Sequence, residues 1–513
     1  MTDPSTSPRP TAIMLRAWQG QRRNKVLTLA VPIILANISV PLVGIVDTAV
    51  MGRMADPVYM GAVALGATIF SSIFWLFGFL RMGTGGLIAQ AAGNASVSVT
   101  QTNPTVPAVQ SDPVDLNSNK DFDAGSRQIE LTLYRALLTG ALLGILLVLL
   151  QYPIAQIAAA AFSAGQGLET LMHDYFYIRI YAAPATLITY SVIGALIGLQ
   201  QMRAVLLVQL LLNLSNILLT ILFFVVFDAG VKGVALATVI AEYLSLVYGL
   251  FVLAKYARLF PLRVALSDVL DPVQVRNLFM VNSNLLIRTL CLTFAFYWLT
   301  ETSLQLGELV LAANVILLHM LHFSSCALDG FAHAAETLTG NAYGRARKLS
   351  AVEATINTTT THTEQKRTQQ SAINDFRESV AVCTIWATLF SLLFVLFFVL
   401  GGSSIIALMT TQESVRSFAE QWLWWIVFSP LIGVWSFMLD GIFIGVTHTR
   451  DMRNAMLQSL VIFLLANLVL ISLFGNAGLW ASYYVLMIAR TATLYRTYPR
   501  IIEAMGAQSA KQQ

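Results

Sequence analysis

Apolar and polar positions alternate along this chain in long blocks. Twelve apolar windows stand out, at 26–51, 59–92, 128–151, 171–199, 204–227, 231–255, 278–300, 308–342, 379–400, 418–446, 455–474 and 478–498. A helix rising 1.5 Å per residue needs about 20 residues to cross a hydrocarbon core of roughly 30 Å, and each window can supply them. Several exceed a minimal span, which permits tilt or extension beyond the bilayer. The pattern predicts an all-α polytopic membrane protein with twelve transmembrane helices.

Composition agrees, with 56% hydrophobic and 11% charged residues. A soluble chain carries about a quarter charged residues, so water is not the main solvent here. The basic residues give an orientation. With the N-terminus inside, 23 of the 31 Lys and Arg fall in inner segments, and only Arg53, Lys232 and Arg416 fall outside. By the positive-inside rule both termini are expected in the cytoplasm. The net charge of +4 then reports topology and calls for no nucleic-acid partner. The first 25 residues are polar and basic, without a signal-peptide pattern. Cys291, Cys326 and Cys383 all lie in apolar windows without motif spacing, which reads as buried thiols rather than a disulfide or zinc framework.

The chain also repeats itself. GTGGLIAQAAGN at 83–94 lines up with GFAHAAETLTGN at 330–341, an offset of 247. VALGAT at 63–68 matches LVLAAN at 309–314, and APATLITYSVIGALIG at 183–198 resembles SPLIGVWSFMLDGIFIG at 429–445. Six windows in each half imply two pseudo-symmetric six-helix lobes in the same orientation, the plan of a transporter with a central site. The expected organisation is a tail at 1–25, an N-lobe at 26–255, a linker at 256–277, a C-lobe at 278–500 and a tail at 501–513. Each lobe carries one long inner segment after its second span, 94–127 and 344–378, rich in Ser, Thr, Asn and Gln. These are expected to be flexible loops, because they hold too little apolar surface to fold alone.

Four stretches carry a family resemblance: VDTAVMGR at 46–53, GAVALGATIFSSIFWLFGFLRMGTGGLIAQA at 61–91, LDGFAHAAETLTGNAYG at 328–344 and LDGIFIGVTHTRDMRNAM at 439–456. Together they resemble the multidrug and toxic compound extrusion family, in its DinF branch. The resemblance runs from about residue 26 to 500, leaving out the tails and the two inner segments. It implies a monomeric antiporter of the bacterial inner membrane that exports organic cations and amphipathic drugs, with antibiotic resistance as the consequence. It also implies a proton gradient as energy source, with sodium as the alternative ion, and no cofactor.

An ionisable group inside a membrane is by default a functional candidate, because burying it costs roughly 2.5–3.5 kcal/mol on insertion scales. Asp47 is the first such group, on the helix that carries Pro41, with an outer-end cap as its plain reading. The resemblance places it at the family's first-helix coupling carboxylate. In LLLNLSNILLTILFF, Asn213, Asn216 and Thr220 fall on one helix face. The family motif there has an Asn followed four residues later by an Asp. Asn216 fits, but Thr220 stands where that Asp would be. Thr238 matches a further polar position of the same cavity, although a helical Thr can simply bond its own backbone. Inter-helix hydrogen bonding is the plain reading of the asparagines.

The remaining membrane charges read as gating or structural groups. Glu242 has Arg490 as its counterpart in the repeat, Arg81 and Asp329 lie near the inner ends of long helices, and Arg179 and Arg288 need partners that spacing does not name. Asp440, in LDGIFIG, is the C-lobe rival to Asp47. No P-loop argues for a built-in ATPase. His319 and His322, with His333 and Glu336 further along, lack a third close ligand and read as hydrogen-bonding residues rather than a metalloenzyme site. A flippase for lipid-linked precursors remains the main alternative function.

Overall fold

The computed structural model describes residues 21–51, 57–102, 123–162, 166–257, 265–353 and 359–506. Over these residues the chain is helical throughout. The helices are α1 (Gln21–Met51), α2 (Pro57–Leu76), α3 (Phe79–Thr102), α4 (Asp123–Leu149), α5 (Gln151–Phe162), α6 (Gln166–Arg179), α7 (Ala183–Gly198) and α8 (Met202–Ile221). They continue as α9 (Gly230–Ala257), α10 (Leu266–Val269), α11 (Pro272–Gln305), α12 (Glu308–Glu353), α13 (Thr359–Met409), α14 (Glu413–Gly445), α15 (Thr449–Phe474) and α16 (Asn476–Gly506). Large apolar side chains such as Leu142, Leu149, Phe251, Leu400 and Leu468 face outward, as expected where lipid replaces water.

Eleven described helical segments are long and apolar enough to cross a membrane. The twelfth window lies in α16, a 31-residue helix that does not meet the same hydropathy requirement. Arg490, Arg496 and Arg500 fall on it, and Arg490 is buried inside the protein. A helix that faces protein on its charged side needs less overall hydropathy than one ringed by lipid.

The chain divides into two compact units. One comprises the described parts of 35–92 and 111–282, and the other those of 1–34, 93–110 and 283–513. Where the divisions fall on described residues, they fall inside α1, α3 and α11. Two contacts explain why. Arg135 of α4, buried, donates to the backbone carbonyls of Asp268 and Val269 in α10, and Arg127 pairs with the Asp268 carboxylate at 2.6 Å. The linker thus packs with the helices before it. At the other end, Gly330 of α12 lies so close to Ala30 and Ile34 that a Cβ there would meet the Ala30 carbonyl at 3.0 Å.

Within the units the repeat becomes concrete. In one, Gly194 and Gly198 of α7 press on the carbonyls of Arg81 and Gly85 of α3, where a Cβ would come within 2.3 and 2.7 Å. In the other, Gly441 and Gly445 of α14 press on the carbonyls of Ala332 and Glu336 of α12, at 2.2 Å each. Both helices also end alike. Gln200 and Thr447, again 247 apart, have φ of 62° and 54°. Gln201 N donates to Leu196 O at 2.8 Å, and His448 N donates to Phe443 O at 3.1 Å. This is the left-handed helix stop that closes the last orphan carbonyls. By these glycines Asp440 corresponds to Ile193.

The two inner segments depart from the expected loops. α12 runs on to Glu353 and α13 begins at Thr359, so most of 344–378 is helix. α3 continues to Thr102 and α4 starts at Asp123, which makes the ends of 94–127 helical as well. The reason is a sparse amphipathic face. Gln369, Ala372, Ile373 and Phe376 recur at helical spacing and are all buried. Gln369 Nε2 donates to Ser350 Oγ at 2.6 Å and to the Met505 carbonyl at 2.8 Å, and Arg345 pairs with Asp375 at 3.1 Å.

Candidate functional site

The N-terminal unit gathers its polar groups on α1, α8 and α9. Asn213 of α8 donates from Nδ2 to Ser39 Oγ of α1 at 2.6 Å, and the Ser39 hydroxyl donates in turn to the Ala36 carbonyl at 2.6 Å. One and two turns further along α8, Asn216 is 3% and Thr220 0% exposed. The Asn216 Oδ1 and Thr220 Oγ have no hydrogen-bond partner among the described residues. Buried polar atoms are nearly always satisfied, so two orphans on one helix face mark a place where another group belongs. Directly after Thr220 the helix widens into a π-turn, Leu222–Val226, a local feature frequent at functional sites. No composition or spacing signal announced it.

Asp47 lies on the same α1, eight residues beyond Ser39; its side chain is outside the described residues. Alternating spans make α1 and α8 run in the same direction. Their Ser39–Asn213 bond therefore brings Asp47 level with Thr220, about 11–12 Å along both helices at 1.5 Å per residue. Thr238 is half-buried and donates to the Val234 carbonyl of its own helix at 3.0 Å.

Arg179, Glu242, Arg288, Asp440 and Arg490 find partners inside their own units. Arg179 lies 3.6 Å from Glu242 and stacks over the rings of Phe70 and Phe74, each 5.4 Å away. In the C-terminal unit, Arg288 of α11 and Arg490 of α16 both donate to Oδ2 of Asp440, the latter at 2.5 Å. All three are buried. Glu242 and Arg490, matched by the repeat, thus each have a partner within their own unit. Arg81 and Asp329 are half-buried. His333 Nδ1 meets Glu336 Oε2 at 2.9 Å, while His319 and His322 are exposed.

Comparison with known proteins fits this picture. The MatE family model matches residues 32–102 and 370–473. DNA damage-inducible protein F of Escherichia coli is 33% identical over 92% of this chain and 91% of its own length. Protein DETOXIFICATION 44, chloroplastic, of Arabidopsis thaliana is 23% identical over 92% of this chain and 81% of its own. Among solved structures, MATE in its bent conformation superposes with a TM-score of 0.76 at 16% identity, covering 97% of this chain and 99% of that one. An outward-facing multidrug resistance MATE family transporter of the MOP superfamily superposes at 0.75 with 15% identity, covering 98% and 100%. With its helical, multi-span fold and its paired intramembrane charges, the chain belongs to the MATE family of multidrug efflux transporters.

Proposed function

We propose that this transporter exports organic cations and amphipathic drugs across the bacterial inner membrane in exchange for protons, with Asp47 as the coupling carboxylate. The observation that carries the reading is the pair of unsatisfied buried groups, Asn216 Oδ1 and Thr220 Oγ, at the level of Asp47. Both are neutral groups, and neither adds a charge to that of Asp47. A lone desolvated carboxylate is suited to trading a proton, since protonation removes the charge that burial penalises. A sodium ion is a hard cation that prefers several oxygen ligands with net negative charge. A cationic substrate would compete with the proton for Asp47, which links uptake of one to release of the other.

Asp440 is the weaker candidate for carrying the ion. It is shared by two buried arginines, and a proton on it would give up both of these ion pairs. The basic-residue distribution supports cytoplasmic termini. The test is uptake of ethidium into inverted-orientation proteoliposomes under separately imposed proton and sodium gradients. Transport that follows the proton gradient alone supports the reading, and transport that follows sodium alone overturns it.

A further inference from the structure

α12 keeps one face open along its membrane span. Glu308, Ala312, Val315, His319 and His322 are exposed and Cys326 and Asp329 half-buried, at alternating steps of four and three residues. His319 and His322 stand 11 and 14 residues beyond Glu308, which opens the helix, so they lie about 17 and 21 Å along a core of roughly 30 Å. An ionisable side chain at that depth almost always faces protein or a water-filled cavity. On α8, α13 and α15 the outward residues midway along the helix are aliphatic instead: Leu214 and Leu218, Leu393 and Leu396, Leu465 and Leu468.

The two rings also keep hydrogen-bonding capacity. Among the described residues His319 makes no hydrogen bond or ion pair, and His322 meets only the Cys326 thiol, Nε2 to Sγ at 3.6 Å. A neutral imidazole has one N–H to donate and one lone pair to accept with. The stripe itself favours a cation. No Lys or Arg occurs between Arg288 and Arg345, and Glu308 and Asp329 stand at its two ends. The open face recurs in the other unit: Thr68, Ser72 and Trp75 of α2, which the repeat offset of 247 matches to Val315, His319 and His322, are exposed as well. The face therefore belongs to the shared plan, and the imidazoles are the C-terminal unit's own addition to it.

We propose that His319 and His322 form a drug-contact site on a water-facing stripe of α12, accepting hydrogen bonds from the N–H groups of flat aromatic cations. The site selects cations that carry amino N–H groups over cations of equal charge without them. It rests on the proposed export of organic cations for its substrate class, and it involves neither Asp47 nor the choice of coupling ion.

The experiment uses the full chain in proteoliposomes with two lipophilic cations: ethidium, which carries aromatic amino groups, and tetraphenylphosphonium, which has no N–H. His319→Ala and His322→Ala should each raise the ethidium KM about fivefold, the scale of one hydrogen bond, with little change in kcat and none for tetraphenylphosphonium. His319→Gln and His322→Gln keep an acceptor and recover most of the loss; they also serve where an Ala variant fails to fold. An unchanged ethidium KM, or equal losses for both cations, overturns the proposal. Water access is read separately at Cys326, since Cys291 and Cys383 are buried. A charged methanethiosulfonate forms a mixed disulfide, expelling sulfinate, where a thiol ionises in water. It should modify wild type but not Cys326→Ser, and ethidium should slow the reaction. No modification at Cys326, nor at His319→Cys in the Cys326→Ser background, would place the stripe away from water and overturn the proposal. Wild type that moves no ethidium under any gradient, yet is protected by it at Cys326, sinks the export function and supports this site.

Discussion

Asn213 reaches across from α8 to the Ser39 hydroxyl of α1 at 2.6 Å, and this bond sets the register of the two helices that frame Asp47. From it follows the first expectation. Asp47→Asn mimics a permanently protonated acid, so proton-driven ethidium efflux should fall to background while the protein still folds and binds some substrate. Asp440→Asn should slow turnover without uncoupling it. Normal efflux by Asp47→Asn together with loss in Asp440→Asn would move the coupling site to the C-terminal unit.

Asp440 holds two buried arginines, Arg288 and Arg490. Breaking a buried pair by removing one partner costs about 3–5 kcal/mol. Asp440→Ala should therefore be more destabilising than Arg490→Gln, because it breaks two buried ion pairs while Arg490→Gln leaves the Arg288–Asp440 pair intact. The double variant Asp440→Ala/Arg490→Gln should recover part of the loss. Thermal unfolding in one detergent without added anions measures all three, and additive losses in the double variant would refute the coupling.

Much of this architecture was readable from the chain, and the unreadable parts share a cause. Spans and repeat were legible because a hydrocarbon solvent forces long apolar runs, and because close helix contacts require glycine at the same two places in each half. The meeting of Arg288, Asp440 and Arg490 was not legible, since it joins three distant segments and no spacing rule connects them. The helical character of 344–378 was hidden by polar residues. Its buried face rests on Gln369, Ala372, Ile373 and Phe376, of which only two are strongly apolar. Thr220 was singled out by a motif, yet the π-turn after it has no sequence signature.

The glycines offer a sharp comparison. A Cβ on Gly441 would come within 2.2 Å of the Ala332 carbonyl, whereas one on Gly401 of α13 would meet nothing within 4 Å. Gly401→Ala should stabilise by up to about 1 kcal/mol through helix propensity. Gly441→Ala should destabilise despite the same propensity gain, because backbone has to move. Equal melting temperatures for the two variants would show that α12 and α14 are not held at this distance.

His448 connects α14 to α15 beside Tyr343, whose hydroxyl lies 3.3 Å from Nε2. Burial pushes its imidazole below the ordinary histidine range, against the opposing pull of Asp451, with Arg347 and Arg500 adding to the depression. The folded state therefore prefers the neutral ring, and the unfolded chain binds the proton more readily. The stability this gives is fully present above the ordinary histidine value near pH 6.5 and declines as the pH falls below it. His448→Gln should flatten the melting temperature between about pH 5 and 7 relative to wild type. A His448→Gln profile parallel to wild type would show that other groups set the acid limb.

The choice of ion turns on Thr220. Its side chain is completely buried and its hydroxyl has no partner among the described residues, at the level of Asp47 on the neighbouring helix. Thr220→Asp would place a second acid where the first is expected to titrate. Two carboxylates sharing one desolvated site cannot both ionise cheaply, so the pair would hold a proton to higher pH than Asp47 alone. Efflux of ethidium driven by a proton gradient should then shift its optimum to higher pH, by about one unit or more. The same substitution supplies the extra negative oxygen ligands that a sodium site needs. Wild-type transport should ignore sodium, and Thr220→Asp should acquire a sodium dependence if the pocket is otherwise large enough to hold the ion. A wild-type protein that already requires sodium, with Thr220→Asp unchanged in its pH optimum, would overturn both the assignment of the ion and the role given to Thr220.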